Sequence, residues 1–364
     1  MHLLRLSCEY LRSYDQLLLE PSNGCSVLIG ENGSGKTNII EAISLLSQTR
    51  SCLRARPEDM VRWGQIFLRV RGMVRSDAGE ETSLEYVFQT SPTRQSAFFL
   101  QDRSVSLLEF IGFLPSMIFL PESLDLFTGP PRGRRSFLES LLTQLQPSYA
   151  ARRMAYERVL KQRNALLRSV AMGTAQPEAL DPWDREFAVS AYGILVERMN
   201  FVRRLSESLS AEVQTLGERW SSTVLEYLPT LTGTTIEEFI EQLRMHRQKE
   251  LLNEGTILGP HRDDWQILAD GHEISSFASR GQQRTVLLAL LFIAVRLFTS
   301  VRKERPVILL DDVLSELDQR HQCALFSVLK DHQVFLTTTS LPEGLRDIRI
   351  FDVSGGGVTR RIDA

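Results

Sequence analysis

Short apolar runs and alternating stretches dominate the first 120 residues of the chain. Residues 27–29 form an apolar run typical of a strand buried in a parallel sheet, and apolar residues recur at helical spacing over residues 36–46. Residues 3–6 and 16–20 predict two more strands, and alternation between residues 66 and 99 predicts antiparallel strands. We therefore predict a β-rich first part in which one strand runs directly into a helix.

The pattern becomes helical from residue 132 to residue 253, with breaks at Pro147, at 173–182 and at 229–233. A short strand at 265–268, a buried apolar helix at 286–295 and buried strands at 307–310 and 333–339 follow. The helical stretch lacks sustained heptads, so no long coiled coil is expected. These patterns predict an α/β fold in which a mixed β-sheet lobe, residues 1–120 and 281–364, receives an inserted, mainly helical lobe, residues 121–280.

Residues 30–37 fit the phosphate-binding loop pattern G-x-x-x-x-G-K-[ST] without a mismatch. Its glycines allow backbone N–H groups to turn toward phosphate oxygens at a helix N-terminus. Lys36 is expected to reach the β- and γ-phosphates and the Thr37 hydroxyl to bind Mg²⁺. A chance lysine in a glycine-rich turn is disfavoured by the flanking strand and helix. The residues predicted to contact the nucleotide are Gly30, Glu31, Asn32, Gly33, Ser34, Gly35, Lys36, Thr37 and Asn38.

Two carboxylates, Asp311 and Asp312, end the apolar run that begins at residue 307. In an open α/β sheet the carboxyl ends of the strands form the edge where ligands bind. We predict that Asp311 holds Mg²⁺ and that Asp312 is the general base for an attacking water. Adjacent carboxylates that simply end a strand in solvent are the alternative, which the intact phosphate-binding loop disfavours.

Composition limits the partners and the compartment. The 364 residues carry a formal net charge of −3, which argues against a histone-like nucleic-acid coat, so any DNA-binding surface must be a local patch. The four cysteines show neither zinc-site spacing nor a disulfide framework. The first residues lack the features of a secretory signal, and the most apolar run is too short for a bilayer span. We expect a cytoplasmic protein that is not anchored in a membrane.

Basic residues supply candidate DNA contacts. Arg54 and Arg56 follow the first helix, where they either lie in a solvated loop or contact phosphate. In the helical lobe, basic side chains usually lie on solvated helix faces, with DNA contact as the alternative. These residues are Arg132, Arg134, Arg135, Arg152, Arg153, Lys161, Arg163, Arg203 and Arg204.

Small and amide residues precede the apolar helix at residues 279–283, where they suit an anion site or a simple Ser279 N-cap. The chain thus contains, in order, the loop at 30–37, this segment, the two carboxylates, residues 315–318 and a strand ending in threonines at 337–339. This order of motifs resembles that of ABC-type ATPases of the SMC class. More narrowly it resembles the RecF family. The narrower resemblance rests on four stretches in order, residues 30–41, 121–135, 161–167 and 259–264, and covers nearly the whole chain.

The resemblance implies a fold and a cycle. The fold is an ABC-type ATPase head, and two subunits enclose ATP between the phosphate-binding loop of one and the signature residues Ser279, Gly281 and Gln282 of the other. ATP and Mg²⁺ are the implied cofactors, and slow, DNA-dependent hydrolysis reopens the homodimer. Implied partners are duplex DNA near single-strand gaps, RecO and RecR, in recombinational repair and replication restart.

The sequence departs from the pattern in three places. Arg280 replaces the usual glutamine of the signature, no glutamine marks a Q-loop near residues 120–123, and no histidine follows the threonines at 337–339. The last two departures, with the wide separation of Lys36 and Asp311, disfavour a transporter ATPase subunit. A nuclease with a further acidic domain is disfavoured by the short segment after Asp318. A structural dimerisation module that binds ATP without required turnover stays open.

Overall fold

A computed structural model describes residues 1–341 and 348–361. The chain divides into two compact units, one formed by Met1–Leu124 with Arg284–Ala364 and the other by Asp125–Gln283. The predicted lobe boundaries, after residues 120 and 280, lie a few residues earlier in the chain. Residues 342–347 and 362–364, which belong to the predicted C-terminal part of the first lobe, lie outside the described residues.

The strands are two to ten residues long. In chain order they are β1 His2–Leu11, β2 Tyr14–Leu19, β3 Cys25–Ile29, β4 Phe67–Arg75, β5 Glu81–Gln89, β6 Gln95–Leu100, β7 Arg103–Val105, β8 Ser116–Phe119, β9 Thr223–Leu228, β10 Asp264–Ala269, β11 His272–Glu273, β12 Val307–Asp311, β13 Val334–Thr338, β14 Ile348–Ser354 and β15 Gly357–Arg360. Those of residues 1–100 confirm the predicted β-rich first part.

The long helices lie mainly in the second unit. In chain order the α-helices are α1 Lys36–Gln48, α2 Pro57–Met60, α3 Leu107–Phe110, α4 Asp125–Thr128, α5 Pro131–Leu145, α6 Pro147–Ala171, α7 Leu180–Glu207, α8 Leu209–Thr215, α9 Ile236–Leu252, α10 Ile274–Phe277, α11 Arg280–Arg302 and α12 Gln319–Leu329. Short 3₁₀ turns occur at Pro121–Leu124, Pro177–Ala179 and Val313–Glu316. The predicted break at Pro147 lies between α5 and α6. Pro147 opens α6, since a proline at the first helical position loses no intrahelical hydrogen bond.

Two sheets of the first unit pack against α1. One is antiparallel, in the order β2-β1-β4-β5-β6-β7, and the other has the order β15-β14-β3-β13-β12-β8 with parallel pairing except at β15. The apolar side chains of α1, such as Ile39, Ile43 and Leu46, share one core with residues of both sheets. A helix buried around most of its circumference needs apolar residues on most faces, which explains why its pattern is strong in the sequence.

The strand register brings separate parts of the chain to one edge of the parallel sheet. Ile29 at the end of β3 lies opposite Thr338 of β13, and Asp311 at the end of β12 lies opposite Thr337. The loop after β3 and the two aspartates therefore meet at the carboxyl ends of neighbouring strands, where open α/β sheets bind ligands.

Helix α11 is the predicted apolar helix, extended at both ends. By length and composition alone it could cross a membrane, and 67% of its most apolar window is buried inside the protein. Helices buried in a protein core can have the same length and apolar composition. The burial of Leu288, Phe292 and Phe298 identifies α11 as a helix packed in the interior.

The second unit is mainly helical but also contains a sheet. Strands β9, β10 and β11 pair antiparallel in the order β11-β10-β9. The sequence predicts β10 and the turn at Asp270 and Gly271, whose φ angles of 49° and 82° are left-handed. It misses β9, because a strand of 6 residues between helical segments shows too little alternation to be recognised alone.

Candidate nucleotide-binding site

The loop between β3 and α1 has the geometry of an anion cradle. Gly33 and Gly35 have φ angles of 81° and 108°, which residues with a Cβ rarely adopt. At Gly30 a Cβ would lie 2.3 Å from the carbonyl oxygen of Val353. Among the residues that the structure describes, no side chain caps the N-terminus of α1, so the positive end of the helix can face an anion. Strand, loop and helix thus follow each other as predicted.

The side chains of the loop fit a phosphate ligand. Lys36 Nζ donates to the carbonyl oxygens of Gly30 and Glu31, at 2.7 and 2.9 Å, so its charge is held over the loop. Ser34 Oγ is buried and has no hydrogen-bond partner among the described residues. Glu31 and Asn32 are exposed. A buried hydroxyl without a partner costs free energy, which a phosphate oxygen accepting its hydrogen bond would remove.

A hydroxyl and a carboxylate form the proposed magnesium site. Thr37 Oγ1 donates to Asp311 Oδ2 at 2.8 Å and lies 3.1 Å from Oδ1. Asp311 is almost fully buried at the end of β12. Hydroxyl and carboxylate oxygens are the ligands that Mg²⁺ prefers, so these two residues fit the ion. The structure brings together the two residues that the sequence predicts to bind it.

Thr337 connects the two aspartates. Its Oγ1 donates to Asp311 Oδ1 at 2.5 Å and accepts a hydrogen bond from the Asp312 N–H at 2.9 Å. Asp312 itself has a left-handed backbone, with φ 48°. Burial, and then the charge of Asp311, raise the pKa of the Asp312 carboxyl. A carboxylate with a raised pKa is a stronger base, in keeping with the role predicted for Asp312.

The signature residues form an exposed helix start. The Ser279 N–H donates to Gln282 Oε1 at 3.0 Å, and the Gln282 N–H donates to Ser279 Oγ at 3.3 Å, which is a reciprocal capping box. Ser279, Arg280 and Gly281 are exposed to solvent. The N-cap interpretation of Ser279 is therefore confirmed, and the exposure leaves these residues open to another molecule.

Sequence reasoning missed the residues of the β1–β2 hairpin that support the loop and α1. Tyr14 donates its hydroxyl hydrogen to the Gly35 carbonyl at 3.2 Å, and Asn38 Nδ2 donates to Ser13 Oγ at 3.0 Å. Arg12 donates from Nε and Nη2 to the carboxylate of Glu41 in α1, at 2.7 and 2.9 Å. Nothing local marks these partners, because each contact joins positions far apart in the chain.

The candidate DNA-contact arginines divide into exposed and internal ones. The exposed candidates are Arg54, Arg56, Arg132, Arg152, Lys161, Arg203 and Arg204, whereas Arg134, Arg135 and Arg153 are partly buried. Arg163 is completely buried, where it donates to Asp184, Glu250 and Thr256, so the expectation of a solvated face is wrong for this residue. A buried guanidinium needs such partners because an uncompensated charge is costly in the interior. Arg163 therefore cross-links the second unit.

Comparison with known proteins agrees with this geometry. A family model described as RecF/RecN/SMC N terminal domain matches residues 2–346. The DNA replication and repair protein RecF of Moorella thermoacetica is 35% identical over 357 residues, which cover 97% of this chain and 94% of the relative. RecF of Heliobacterium modesticaldum is 32% identical over 373 residues, with 99% of both chains covered.

Solved structures give the same result for the fold. A structure of the recombination mediator protein RecF with ATP, described as part of the RecFOR pathway, is 26% identical, covers 99% of this chain and 98% of its own, and has a TM-score of 0.92. An SMC head bound to the C-winged helix domain of ScpA has a TM-score of 0.54 at 16% identity, which supports the fold alone. The predicted ABC-type ATPase head is confirmed. The chain belongs to the RecF family of SMC-type ATPases.

Proposed function

We propose that this protein is an ATP-dependent DNA-binding protein of recombinational repair and replication restart. ATP binding joins two subunits around duplex DNA beside a single-strand gap, and slow hydrolysis releases them. The observation that carries the proposal is the hydrogen-bonded group of Thr37, Asp311, Thr337 and Asp312 at the end of the phosphate-binding loop. Membership of the RecF family supports the assignment to DNA repair.

The residues of the loop have separate tasks in binding ATP. Backbone N–H groups at the start of α1 donate to phosphate oxygens, and the Ser34 hydroxyl gains the partner that it lacks. Lys36 exchanges the carbonyls of Gly30 and Glu31 for the β- and γ-phosphates. Thr37 and Asp311 would hold Mg²⁺, which would supply positive charge to neutralise the phosphates.

Hydrolysis depends on Asp312 as the general base. Its position is set by the hydrogen bond from its N–H to Thr337, a residue that also orients Asp311. Its raised pKa favours acceptance of a proton from the attacking water. Asp312 is the single proposed base, and no histidine follows the threonines at 337–339, which is consistent with slow turnover. The rate of ATP hydrolysis then sets the rate of release.

The exposed signature residues support dimerisation. Ser279, Gly281 and Gln282 of one subunit would contact the γ-phosphate held by the partner subunit's loop. A ligand shifts an equilibrium only through its different affinity for the two states, and here the γ-phosphate supplies that difference. The relatives named RecF, and the solved structure described within the RecFOR pathway, support RecO and RecR as partners and the cytoplasm as the location.

An SMC-like dimerisation module without required turnover is the second candidate. It is favoured because no histidine follows the threonines at 337–339 and because no Q-loop glutamine is present near residues 120–123. Both candidates bind ATP and dimerise. They differ in whether release of the protein from DNA requires the Asp312 carboxylate. A transporter subunit would require the missing residues and is disfavoured.

Release from DNA separates these candidates. The Asp312→Asn variant keeps the size of the side chain and removes the base, so we expect it to bind gapped duplex DNA with Mg·ATP and to dissociate at least tenfold more slowly than the parent. Asp102→Asn, at an exposed turn, is the matched control and should release normally. Dissociation of Asp312→Asn at the parental rate would favour the module that needs no turnover.

A further inference from the structure

Trp63 is almost completely exposed, at 97% of its surface. Among the four tryptophans, Trp265 lies in the core at 1% exposure and Trp183 and Trp220 are half-buried. Tryptophan is the largest side chain and is usually well buried, so a ring left wholly in water suits contact with another molecule. Ile66, at the end of the same turn, is 58% exposed and extends the apolar surface.

The backbone under Trp63 is firmly held. The Gln65 N–H donates to the Arg62 carbonyl at 3.0 Å, which closes a turn with Gly64 at φ 84°. The Arg62 N–H donates to the Tyr10 carbonyl at 2.9 Å, and Val61, which is buried, forms a bridge with Leu11. The ring is therefore presented outward by an ordered turn, which reduces the entropy lost when it binds.

The turn is also connected to the phosphate-binding loop. Arg62 Nη1 donates to the carbonyl oxygen of Ser13, and Ser13 Oγ accepts from Asn38 Nδ2 at 3.0 Å. Asn38 follows Thr37 in the first turn of α1. Two hydrogen bonds thus join the segment that carries Trp63 to the residues that are expected to sense the nucleotide.

The charges on this segment favour an anionic ligand. Arg54 and Arg56 are exposed, and within residues 1–341 and 348–361 neither forms an ion pair. Glu58 on the same segment is neutralised by Arg94 at 3.0 Å, and Arg62 lies 3.8 Å from Asp15. The segment also carries the exposed Asp59, so Arg54 and Arg56 outnumber its unpaired carboxylate by two to one among the described residues. Arg54 and Arg56 precede Trp63 on the same segment of the chain. Exposed guanidinium groups and an exposed aromatic ring on one segment match the phosphate backbone and the flat base of a single strand.

We propose that Trp63 stacks on an unpaired base at the junction between duplex and single-stranded DNA, while Arg54 and Arg56 contact the adjoining backbone. The interior of a duplex presents no free base face, whereas the first unpaired nucleotide of a gap does. Trp63 is in this way the residue that distinguishes a gapped site from continuous duplex. This inference rests on the DNA binding that we propose above.

Equilibrium binding with Mg·ATP tests the stacking contact. Affinities for a gapped duplex and a blunt duplex of equal length are compared for the parent, Trp63→Ala, Trp63→Phe and Leu252→Ala, a control side chain that is 86% exposed in the second unit. Loss of one stacked base weakens binding about tenfold, so Trp63→Ala should lose about that factor on the gapped duplex and little on the blunt one. Trp63→Phe should keep most of the preference.

Tryptophan emission gives a second readout that a structural role would not change. Emission of the parent should be quenched when gapped duplex binds, and the quenching should be absent from Trp63→Phe, which retains the other three tryptophans. If the parent binds gapped DNA but Trp63→Ala shows the same preference and quenching, stacking by Trp63 is wrong and the proposed function stands. If the parent binds no DNA with Mg·ATP, both proposals fail.

Discussion

The Thr37 hydroxyl donates to the Asp311 carboxylate at 2.8 Å, although the two residues are 274 positions apart in the chain. Parallel pairing places the loop after β3 and the end of β12 at one edge of the sheet, with only β13 between them. The β13 residue Thr337 fills that gap and bonds both aspartates. Strand pairing thus holds together the oxygen atoms expected to bind Mg²⁺, which lowers the cost of binding the ion.

Replacing Thr337 with valine tests this arrangement. Valine keeps the shape but leaves Asp311 without one donor and the Asp312 N–H without its acceptor. We expect ATP hydrolysis to fall about tenfold with ATP still bound, and the free energy of unfolding to fall by about 1–3 kcal/mol. Steady-state phosphate release, calorimetric ATP titration and urea denaturation measure the three quantities.

Thr338→Val is the matched control, because its hydroxyl donates to the Ser340 carbonyl, away from the aspartates. Its hydrolysis should stay within about twofold of the parent. Equal hydrolysis by Thr337→Val and the parent would show that Thr337 does not position Asp312.

Two glycines of the phosphate-binding loop should respond differently to alanine. At Gly30 the new Cβ would collide with the Val353 carbonyl, so the loop must shift and ATP affinity should fall at least tenfold. At Gly33 the space is open, and only the left-handed φ of 81° is disfavoured, at a cost of about 1–2 kcal/mol. Calorimetric ATP titration should therefore place Gly33→Ala between the parent and Gly30→Ala. The reverse order would contradict the described loop.

Much of this site can be read from the sequence because its signals are local. The glycine pattern, the apolar strand before it and the helix after it predict where the loop lies, and the run ending in Asp311 predicts its partner strand. The support from Tyr14, Ser13 and Thr337 cannot be predicted in this way. Each of these side chains acts through a contact that exists only after distant strands have paired.

Arg163 shows where charge is a poor guide. Its position in a long helix with other basic residues suggests a solvated face, yet it is buried against Asp184 and Glu250. The acidic partners come from two other helices, so no local spacing in the sequence predicts them. Strand β9 is missed for a similar reason, because its pairing partner, β10, follows a long helix.

Acid should destabilise the protein through His261. Burial lowers the pKa of its imidazole from 6.5 to about 4, and its Nε2–H donates to the Thr256 carbonyl at 3.0 Å while Nδ1 accepts from the Tyr156 hydroxyl at 2.6 Å. Between pH 6.5 and about 4 the unfolded chain binds the proton and the folded protein does not, so the unfolding free energy falls as pH falls. The loss is about 1.4 kcal/mol per pH unit.

Urea denaturation at several pH values in this window measures the effect. His261→Gln cannot titrate, so its unfolding free energy should fall less steeply with pH than that of the parent. The pKa values of His2 and His332 are also lowered by burial, so part of the slope should remain. Identical slopes in parent and variant would mean that His261 is protonated in the folded protein.

Sedimentation velocity of the purified protein with and without Mg·ATP tests the shared nucleotide site most directly. We predict a monomer without nucleotide and a dimer with Mg·ATP for the parent and for the control Ser276→Ala, an exposed serine near the signature. Lys36→Ala, which loses the phosphate contact, and Ser279→Ala, which loses the contact to the partner's nucleotide, should both stay monomeric. A Ser279→Ala variant that dimerises with Mg·ATP as well as the parent would contradict the shared nucleotide site.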